Sequence, residues 1–256
     1  MRGVILAAGD GTRLAPLTAD RPKPLVRVLG RRLLDYTLEA FAQTGIKEIG
    51  LVVGYRWRML AEYLRDGHSY GARVQCLLNP EYHRGNGSSI YAAREFVGSE
   101  PFIVAMADHM ISSEILQRLL STPMEGAKLC VDRQAQAPPQ LHDATRVWVD
   151  GRGFILQIGK ALERWNAVDV GVFLFQPTIF PVLDKLMDDE LRSCTVTRAV
   201  RRLIASGERL RACDISGCFW LDVDTPEDLA YARQALRRRM AEGISELGQS
   251  WAISLA

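Results

Sequence analysis

The amino-acid sequence predicts an α/β fold built on a doubly wound, mostly parallel mixed sheet. Through the first half of the chain, short apolar runs alternate with helix-like segments, a rhythm typical of parallel strands joined by crossover helices. Beyond residue 127 the runs become short and closely spaced, which indicates an elaboration of the same sheet. The chain has 256 residues, of which 48% are hydrophobic, enough to bury a sizeable core. We therefore expect a Rossmann-like architecture.

The first half of the chain contains apolar runs with the length of strands and segments with the pattern of helices. Gly45 and Gly71 follow two helical segments at the position where helices commonly end in a left-handed residue. The predicted order is strand Val4–Ala8, helix Leu33–Thr44, strand Ile46–Val53, helix Trp57–Asp66, strand Arg73–Leu78, helix Ser88–Phe96 and strand Phe102–Met106.

The second half is assigned from shorter runs together with turn and cap signals. Asp150–Gly153 has the composition of a hairpin turn, and Gln134–His142, with its two prolines, indicates a loop. A last helix is predicted from Thr225, because Pro226 occupies its first turn and Asp228 completes a capping box. Between these signals we expect strands Lys128–Val131, Thr145–Val149, Phe154–Ile158, Val168–Phe175, Leu210–Asp214 and Phe219–Val223, and helices Ile179–Asp188 and Val196–Ser206.

Composition argues against several classes of protein. The 32 basic and 30 acidic residues give a net charge of +2, so no global field attracts nucleic acid or a membrane surface. Five cysteines without C-x-x-C spacing indicate reduced thiols rather than a disulfide framework. The most apolar stretch, Val168–Val182, is too short and too interrupted to span a bilayer. We expect a soluble, cytoplasmic protein without a signal peptide, since the first motif begins at residue 4.

The most informative segment follows the first strand. The run ends in the glycine-rich turn Gly9-Asp10-Gly11-Thr12-Arg13, and ten residues later Lys23 lies between two prolines. Consecutive N–H groups of such a turn form a concavity that suits phosphate oxygens. Arg13 offers a planar fork of donors, and Lys23 offers a compact charge on a backbone that the prolines stiffen. The segment predicts a polyphosphate site in which Arg13 and Lys23 are the catalytic cations.

Two other phosphate-binding motifs do not match this chain. The dinucleotide fingerprint G-x-G-x-x-G has Leu14 in place of its last glycine, and the pair Gly159-Lys160 lacks the other residues of a P-loop. An ordinary βα turn would account for the glycines alone, but not for the arginine and the lysine. Because a loop lysine contributes little to a core, we expect Lys23→Ala to remove turnover and hardly change thermal stability.

The stretch Leu6–Leu14 followed by Pro22–Leu25 resembles the signature of the sugar-nucleotide pyrophosphorylase superfamily of nucleotidyltransferases. The resemblance implies that the chain joins a nucleoside triphosphate to a phosphorylated sugar, polyol or choline, with Mg²⁺ as cofactor. It implies one domain over 1–243, with a nucleotide-binding part over about 1–125 and a substrate-binding part over about 126–243. The tail, 244–256, would pack on the domain or on a second subunit. Nucleotide contacts are implied for Leu6, Ala7, Ala8, Gly9, Gly11 and Thr12.

Aspartates follow apolar strands at positions where a nucleotidyl transfer would need metal-binding carboxylates. The attacking phosphate is already anionic, so the chemistry requires positioned cations and metal-binding acids rather than a strong base. Asp108 follows an apolar strand, and ligand sites of open α/β sheets lie at the carboxyl ends of strands. Asp222 and Asp224 close another apolar run. By resemblance Asp108 and Asp222 bind the magnesium ion. Asp224 either shares the ion or helps the last helix to start.

The stretch Asn79–Ser89 is the candidate for recognition of the base. It is rich in glycine and opens a helix after a strand, so its polar groups face the same strand-end cleft. By resemblance Asn79 and Gly85 contact the base, because an amide suits a base edge and a glycine permits close approach. Ser88 is either a nucleotide contact or the cap of the helix.

Three downstream residues are candidates for binding the acceptor. Lys160 follows a predicted strand and would meet the acceptor's phosphate, as a lysine often does in this superfamily. Asp169 and Gly171 belong to a run that resembles the strand lining the sugar pocket. An acid inside an apolar strand needs a partner, so Asp169 either accepts hydrogen bonds from a polyol or forms a salt bridge with an arginine.

The choice of substrates rests on resemblance within the superfamily. The segments Gly85–Tyr91, Met106–His109 and Trp220–Asp228 look most like CTP:inositol-1-phosphate cytidylyltransferases, which make CDP-inositol and pyrophosphate. These are often fused to a membrane-embedded transferase; none follows here, so we expect a stand-alone soluble enzyme and a possible homodimer. The alternatives are a hexose-1-phosphate guanylyl- or uridylyltransferase and a phosphocholine cytidylyltransferase with a cage of Tyr82, Tyr91 and Trp165. The retained cations and acids argue against a non-catalytic nucleotide-binding regulatory subunit.

Overall fold

The computed structural model describes residues 1–65, 70–123, 126–189 and 191–243. Its strands are β1 (Arg2–Ala7), β2 (Arg27–Val28), β3 (Arg31–Arg32), β4 (Glu48–Val53), β5 (Arg73–Leu78), β6 (Phe102–Met106), β7 (His109–Ile111), β8 (Ala127–Asp132), β9 (Arg146–Val149), β10 (Ile155–Gly159), β11 (Ala167–Phe175), β12 (Leu210–Asp214) and β13 (Trp220–Asp222). Its α-helices are α1 (Leu33–Gln43), α2 (Trp57–Arg65), α3 (Asn86–Ala92), α4 (Arg94–Val97), α5 (Ser113–Ser121), α6 (Pro138–Leu141), α7 (Ile179–Met187), α8 (Val196–Ala205) and α9 (Pro226–Ala241).

The central sheet is mixed, as the sequence predicts. Its order is β10-β9-β11-β6-β1-β4-β5, and β8 and β12 continue it from the other side of the long strand β11. The strands β6, β1, β4 and β5 are parallel. Strand β11 runs antiparallel to both β6 and β8, and thereby joins the two halves of the chain into one sheet. The carboxyl ends of β1 and β6 lie side by side, which places the residues after them at one edge.

Helices cover both faces of the sheet because its central strands are apolar on both sides. Ile5 of β1 packs in a core with α1, α2 and α5, whereas its neighbours Val4 and Leu6 pack in a second core with α3, α7 and α8. Alternate residues of a strand point to opposite faces, so a continuous apolar run requires a layer on each side. None of the helices in the described ranges is long and apolar enough to cross a membrane.

Most predicted elements are present, and three predictions were wrong in detail. The helix predicted from Ser88 begins at Asn86, since the Asn86 Oδ1 accepts the N–H of Val196 and the Gly87 N–H donates to Cys194. That helix is also interrupted at Ala93, and α4 begins at the next residue, Arg94. The loop predicted over 134–142 contains α6, whose first turn holds both prolines.

The strand predicted over 219–223 belongs to a different sheet. The strand is limited to β13, which pairs with β7 in a two-stranded antiparallel ribbon outside the central sheet. The ribbon register sets Asp222 opposite His109. Helix α9 then begins as predicted, because Thr225 Oγ1 accepts the N–H of Asp228 and the Asp228 carboxylate accepts the N–H of Thr225. The predicted division of the domain near residue 125 stays a prediction, and the tail 244–256 lies outside the described residues.

Candidate active site

The glycine turn after β1 is built so that the Lys23 segment can approach it closely. Gly11 has φ +64°, and a Cβ there would lie 2.7 Å from the Cβ of Lys23. A side chain at Gly9 would instead meet no atom within 4 Å. The turn is held by the Thr18 hydroxyl, which donates to the Gly11 carbonyl at 2.9 Å. Gly11 therefore serves packing, while Gly9 leaves space for a ligand.

A separate apolar cluster anchors the charged residues of the site. Leu14, Met110, Leu221 and Val223 are all buried in it, together with Leu229 of α9. Leu14, Met110, Leu221 and Val223 are each adjacent in sequence to a charged residue that faces the cleft. The cluster therefore fixes the backbone from which those charged side chains extend, although they come from distant parts of the chain.

Lys23 lies at the centre of the site and is almost fully buried. It is 5% exposed, and its Nζ donates to Asp108 Oδ2 at 2.8 Å and to Asp224 Oδ1. Burial alone would lower the pKa of the ammonium, but the surrounding carboxylates, first that of Asp108, outweigh it and raise the pKa. The structure gives a reason to revise the expectation that Lys23 contributes little to stability, because this buried lysine neutralises partly buried carboxylates.

Asp224 holds the two predicted catalytic cations together. Its carboxylate binds Lys23 through Oδ1 and the Arg13 guanidinium through Oδ2, the latter at 2.6 Å. Burial, and then the charge of Asp222, raise the pKa of Asp224. The cap of α9 is Thr225, although the N–H of Asp224 donates to Asp228 at 3.1 Å. Asp224 thus lies next to the metal candidates with its oxygens bound to cations.

Asp108, His109 and Asp222 form a group that could hold a metal ion. One potential ligand atom from each lies within 4.8 Å of the other two. His109 Nε2 is 3.6 Å from Asp222 Oδ2 and 3.9 Å from Asp108 Oδ1. The buried Asp222 Oδ1 has no hydrogen-bond partner among the described residues. An oxygen without a partner beside two further donors fits a divalent cation.

The charges in this group influence one another strongly. Burial would raise the pKa of Asp222, but His109 and then Lys23 outweigh it and lower the pKa well below its usual range. Burial would likewise lower the pKa of His109, yet Asp222 and Asp108 raise it to about 10. Sequence reasoning missed His109, although its place directly after Asp108 was the available signal.

The site opens into two adjoining cavities. The smaller, of about 210 Å³, is formed by the glycine turn, Lys23 and the carboxylates; the larger, of about 670 Å³, extends toward α8 and β10. They share Leu6, Gly9, Arg13, Asp108 and Asp224. Ala7, Gly11 and Thr12 line the smaller cavity, and Ala8, Lys160, Asp169, Gly171 and Asp222 line the larger one.

Asp143 lines the larger cavity and was also missed from the sequence. It accepts from Arg13 at 2.7 Å and from Lys160 at 2.5 Å. Burial would raise the pKa of Asp143, but the bonds from Lys160 and Arg13 lower it below its usual value. The residue follows the proline-containing segment that sequence reasoning treated only as a loop. It brings the predicted acceptor lysine next to the predicted nucleotide-binding arginine.

Asp169 lies in an irregular part of β11 and faces the larger cavity. Its Oδ1 accepts the N–H of Gly171 at 2.7 Å, and burial raises its pKa to about 6. Within the described ranges no arginine forms a salt bridge with it, so that interpretation is not supported. Gly171 has φ +75°, and a Cβ there would lie 2.5 Å from His109 Cε1. The glycine therefore admits the imidazole.

Arg201 enters the same cavity through a gap that Gly159 leaves. A Cβ on Gly159 would lie 1.8 Å from an Nη atom of Arg201, so any larger residue would displace the guanidinium. Its Nε donates to the Ile158 carbonyl at 2.6 Å. In the described part of the chain no carboxylate pairs with Arg201. Sequence reasoning missed it because its helix, α8, carries several arginines without a motif.

The predicted base-binding residues lie beneath the cleft surface. Asn79 is 2% exposed, its Nδ2 donates to the hydroxyls of Ser88 and Ser89, and its Oδ1 accepts the N–H of Glu81. The Ser88 hydroxyl donates to the Gly85 carbonyl at 2.7 Å, inside α3 rather than at its cap. A Cβ on Gly85 would lie 2.7 Å from the Cys194 carbonyl. These contacts fix the shape of the segment from Asn79 to Ser88. The next residue, Ser89, lines the larger cavity.

Comparison with known proteins identifies the family. The sequence model described as nucleotidyl transferase matches residues 2–239. The chain belongs to the nucleotidyl transferase family. The predicted fold class and superfamily are thereby confirmed, and a non-enzymatic class is disfavoured.

Curated relatives and solved structures refine the comparison. A bifunctional IPC transferase and DIPP synthase of Rubrobacter xylanophilus is 36% identical over 241 residues, 93% of this chain and 52% of that protein. The protein of the same name from Thermococcus kodakarensis is 32% identical over 96% of this chain and 52% of its own. The chain thus spans about half the length of these relatives.

Two solved structures share the fold. The inositol-1-phosphate CTP transferase from T. maritima superposes with a TM-score of 0.80 at 24% identity, over 97% of this chain and 96% of its own. A UDP-glucose pyrophosphorylase complexed with UDP-glucose gives a TM-score of 0.79 at 19% identity, over 93% of this chain and 98% of its own.

Lys23→Ala is expected to destabilise the protein at pH 7.5 by about 3 kcal/mol, because it leaves partly buried carboxylates without their cation. Urea unfolding measures the free energy. Arg21→Ala is the matched control, since its ion pair with Asp20 is exposed and its loss should cost less than about 1 kcal/mol. Adding Asp224→Asn to Lys23→Ala should recover part of the loss. An unchanged unfolding midpoint in Lys23→Ala would show that the lysine does not stabilise the fold.

Asp169→Asn is expected to stabilise the protein at pH 8 and to have little effect near pH 4. The folded-state pKa of about 6 exceeds an unfolded value of about 3.9, so ionisation of the folded protein above pH 6 costs up to about 3 kcal/mol. Below about pH 4 both states are protonated and the cost disappears. Unfolding free energies at the two pH values test this.

Asp150→Asn is a control for which the expected change in stability at pH 8 has the opposite sign. Backbone N–H groups, first that of Phe154, lower the pKa of Asp150, so its substitution should reduce stability at pH 8. If Asp169→Asn raised the free energy of unfolding equally at both pH values, the effect could not come from ionisation of Asp169.

Proposed function

We propose that the chain transfers the cytidylyl group of CTP to inositol 1-phosphate, giving CDP-inositol and pyrophosphate. The observation that carries the proposal is the convergence of the glycine turn, Lys23 and the carboxylates Asp108 and Asp222 on one cleft. A second compartment beside it ends in Lys160 and Asp169. The named relatives and the fold of the inositol-1-phosphate CTP transferase support the choice of substrates.

The nucleotide's phosphates would enter the smaller cavity. Gly9 leaves open space there, and Arg13 and Lys23 already lie on its wall with carboxylates as partners. Phosphate oxygens would take the place of those carboxylates as acceptors, which orients the α-phosphate toward the larger cavity. Lys23 would then neutralise charge on the phosphoryl group, while Arg13 holds the leaving pyrophosphate.

The acceptor would occupy the larger cavity with its phosphate toward Lys160. One phosphate oxygen attacks the α-phosphorus in line, a new P–O bond forms, and the bond to the β-phosphate oxygen breaks as pyrophosphate leaves. Asp169 would accept hydrogen bonds from ring hydroxyls, and Arg201 would donate to oxygens of the acceptor. A divalent cation, for which Mg²⁺ is our proposal, would be held by Asp108 and Asp222 and would neutralise phosphate charge when bound.

The aromatic rings favour a polyol over choline. Tyr82 lines the larger cavity, but Tyr91 lies against the guanidinium of Arg94 and Trp165 lies near that of Arg146. These three rings therefore do not form the cage that a quaternary ammonium would require. The free thiols, four of them buried, support a cytoplasmic location. A homodimer remains a prediction.

A screen of pyrophosphate release tests the substrates. CTP, GTP, UTP, ATP and dTTP are each combined with inositol, choline and hexose phosphates in the presence of Mg²⁺. We expect the highest kcat/KM for CTP with inositol 1-phosphate. The Asp222→Asn variant, purified in parallel, reports the background from contaminating enzymes. Turnover of another pair, with none for CTP and inositol 1-phosphate, would refute the proposed substrates.

Arg201→Gln is expected to raise the KM for inositol 1-phosphate about tenfold and to leave the KM for CTP nearly unchanged, because a hydrogen bond from a charged donor is lost. Gly159→Ala should have the same effect, since its Cβ displaces the guanidinium. The matched control is Arg202→Gln, the next residue of α8, with its side chain exposed. Equal KM values in the Arg201 and Arg202 variants would exclude Arg201 from the acceptor site.

A further inference from the structure

We propose that His109 is a ligand of the divalent cation through its Nε2 atom, together with Asp108 and Asp222, and that this nitrogen raises the affinity of the site for transition-metal ions relative to Mg²⁺. The resemblance to the superfamily assigned the ion to carboxylates alone. The inference rests on the proposed function only in that the function requires a cation at this position.

A backbone carbonyl determines which nitrogen of His109 is available. Nδ1 lies 2.7 Å from the carbonyl oxygen of Val170, which can only accept a hydrogen bond. Nδ1 must therefore carry the hydrogen, and in the neutral ring the lone pair is on Nε2. Histidine ligands of metals commonly donate their other N–H to a carbonyl in this way. The arrangement directs Nε2 toward Asp108 and Asp222.

Neighbouring residues hold the imidazole in this orientation. Gly171 leaves the space that the ring occupies, since its Cβ would lie 2.5 Å from Cε1 and 2.7 Å from Nδ1. The Trp220 ring stacks on the imidazole with centroids 6.3 Å apart, and its Nε1 donates to Asp132 at 2.9 Å. The His109 side chain is 13% exposed. The nitrogen therefore has a defined position and is not a mobile surface group.

The distances around Nε2 favour an ion over a direct hydrogen-bond pair. Nε2 is 3.6 Å from Asp222 Oδ2 and 3.9 Å from Asp108 Oδ1, both beyond the usual length of an N–H···O bond. The other oxygen of Asp222 is buried and has no hydrogen-bond partner within the described ranges. Two carboxylates and one nitrogen thus lie close enough together to hold one metal ion.

A site that combines carboxylate oxygens with an imidazole nitrogen differs from an all-oxygen site in the metal ions that it binds best. Mg²⁺ prefers oxygen ligands and retains several waters, whereas imidazole suits the transition metals. With a nitrogen ligand, affinity should rise from Mn²⁺ to Co²⁺. Replacing His109 by glutamine, which offers a neutral oxygen, should reduce the preference for Co²⁺ over Mg²⁺ and leave Mg²⁺ binding largely intact.

The test is a titration of the substrate-free, full-length protein with Mg²⁺, Mn²⁺ and Co²⁺. Calorimetry gives the dissociation constants, and the visible absorption of Co²⁺ reports a nitrogen ligand independently. We expect His109→Gln to weaken Co²⁺ binding about tenfold or more and to change Mg²⁺ binding less than about threefold, and His109→Asp, which supplies an oxygen ligand, to lower the ratio of Co²⁺ to Mg²⁺ affinity. His142→Gln, which alters another histidine lining the cleft, should bind all three ions as the wild type does.

Three results would overturn the inference. One is the same ratio of Co²⁺ to Mg²⁺ affinity in wild type and in both His109 variants. Another is an unchanged Co²⁺ spectrum in those variants, and the last is a wild-type protein that binds none of the ions. Because the titration contains neither nucleotide nor acceptor, its outcome is independent of the turnover screen. Selective Co²⁺ binding combined with no turnover of CTP and inositol 1-phosphate would refute the substrates alone.

Discussion

The buried ammonium of Lys23 is the interaction on which the site depends. It joins Asp108, at the end of β6, to Asp224, just before α9, and it comes from the loop after β1. These segments lie far apart in sequence, and the pairing of β1 with β6 and of β7 with β13 brings them to one edge. A buried charge that loses its partner costs several kcal/mol, so the three segments must adopt their positions together. The glycine turn contributes by letting the lysine approach, since a Cβ on Gly11 would collide with it.

The charged residues can be held so closely because apolar neighbours fix the backbone behind them. Leu14, Met110 and Leu221 pack in one cluster, and each is adjacent in sequence to a charged residue of the cleft. The two-stranded ribbon of β7 and β13 supplies two of these anchors and sets Asp222 opposite His109. Packing thus positions the backbone, and the ion pairs then determine where the side chains point.

The sequence predicted the parts of the site that local patterns encode. Gly9, Lys23 and Asp108 follow strands or a recognisable turn, and a doubly wound sheet brings strand ends to one edge. Sequence reasoning missed His109 although it directly follows Asp108, because the orientation of its ring depends on the Val170 carbonyl and on space at Gly171 in a distant strand. Asp143 and Arg201 were missed for the same reason: their partners come from long-range packing and not from sequence spacing.

The net charge of the site couples binding of the cation to binding of the nucleotide. In the absence of ligands, three cationic side chains (Arg13, Lys23 and Lys160) and the imidazole of His109 face four acidic residues (Asp108, Asp143, Asp222 and Asp224). A triphosphate would add about four negative charges to this nearly neutral group, and burying them uncompensated is costly. A divalent cation between Asp108 and Asp222 would offset part of that charge. Binding of the nucleotide and of the cation should therefore be mutually reinforcing, as reciprocal coupling between adjacent sites requires.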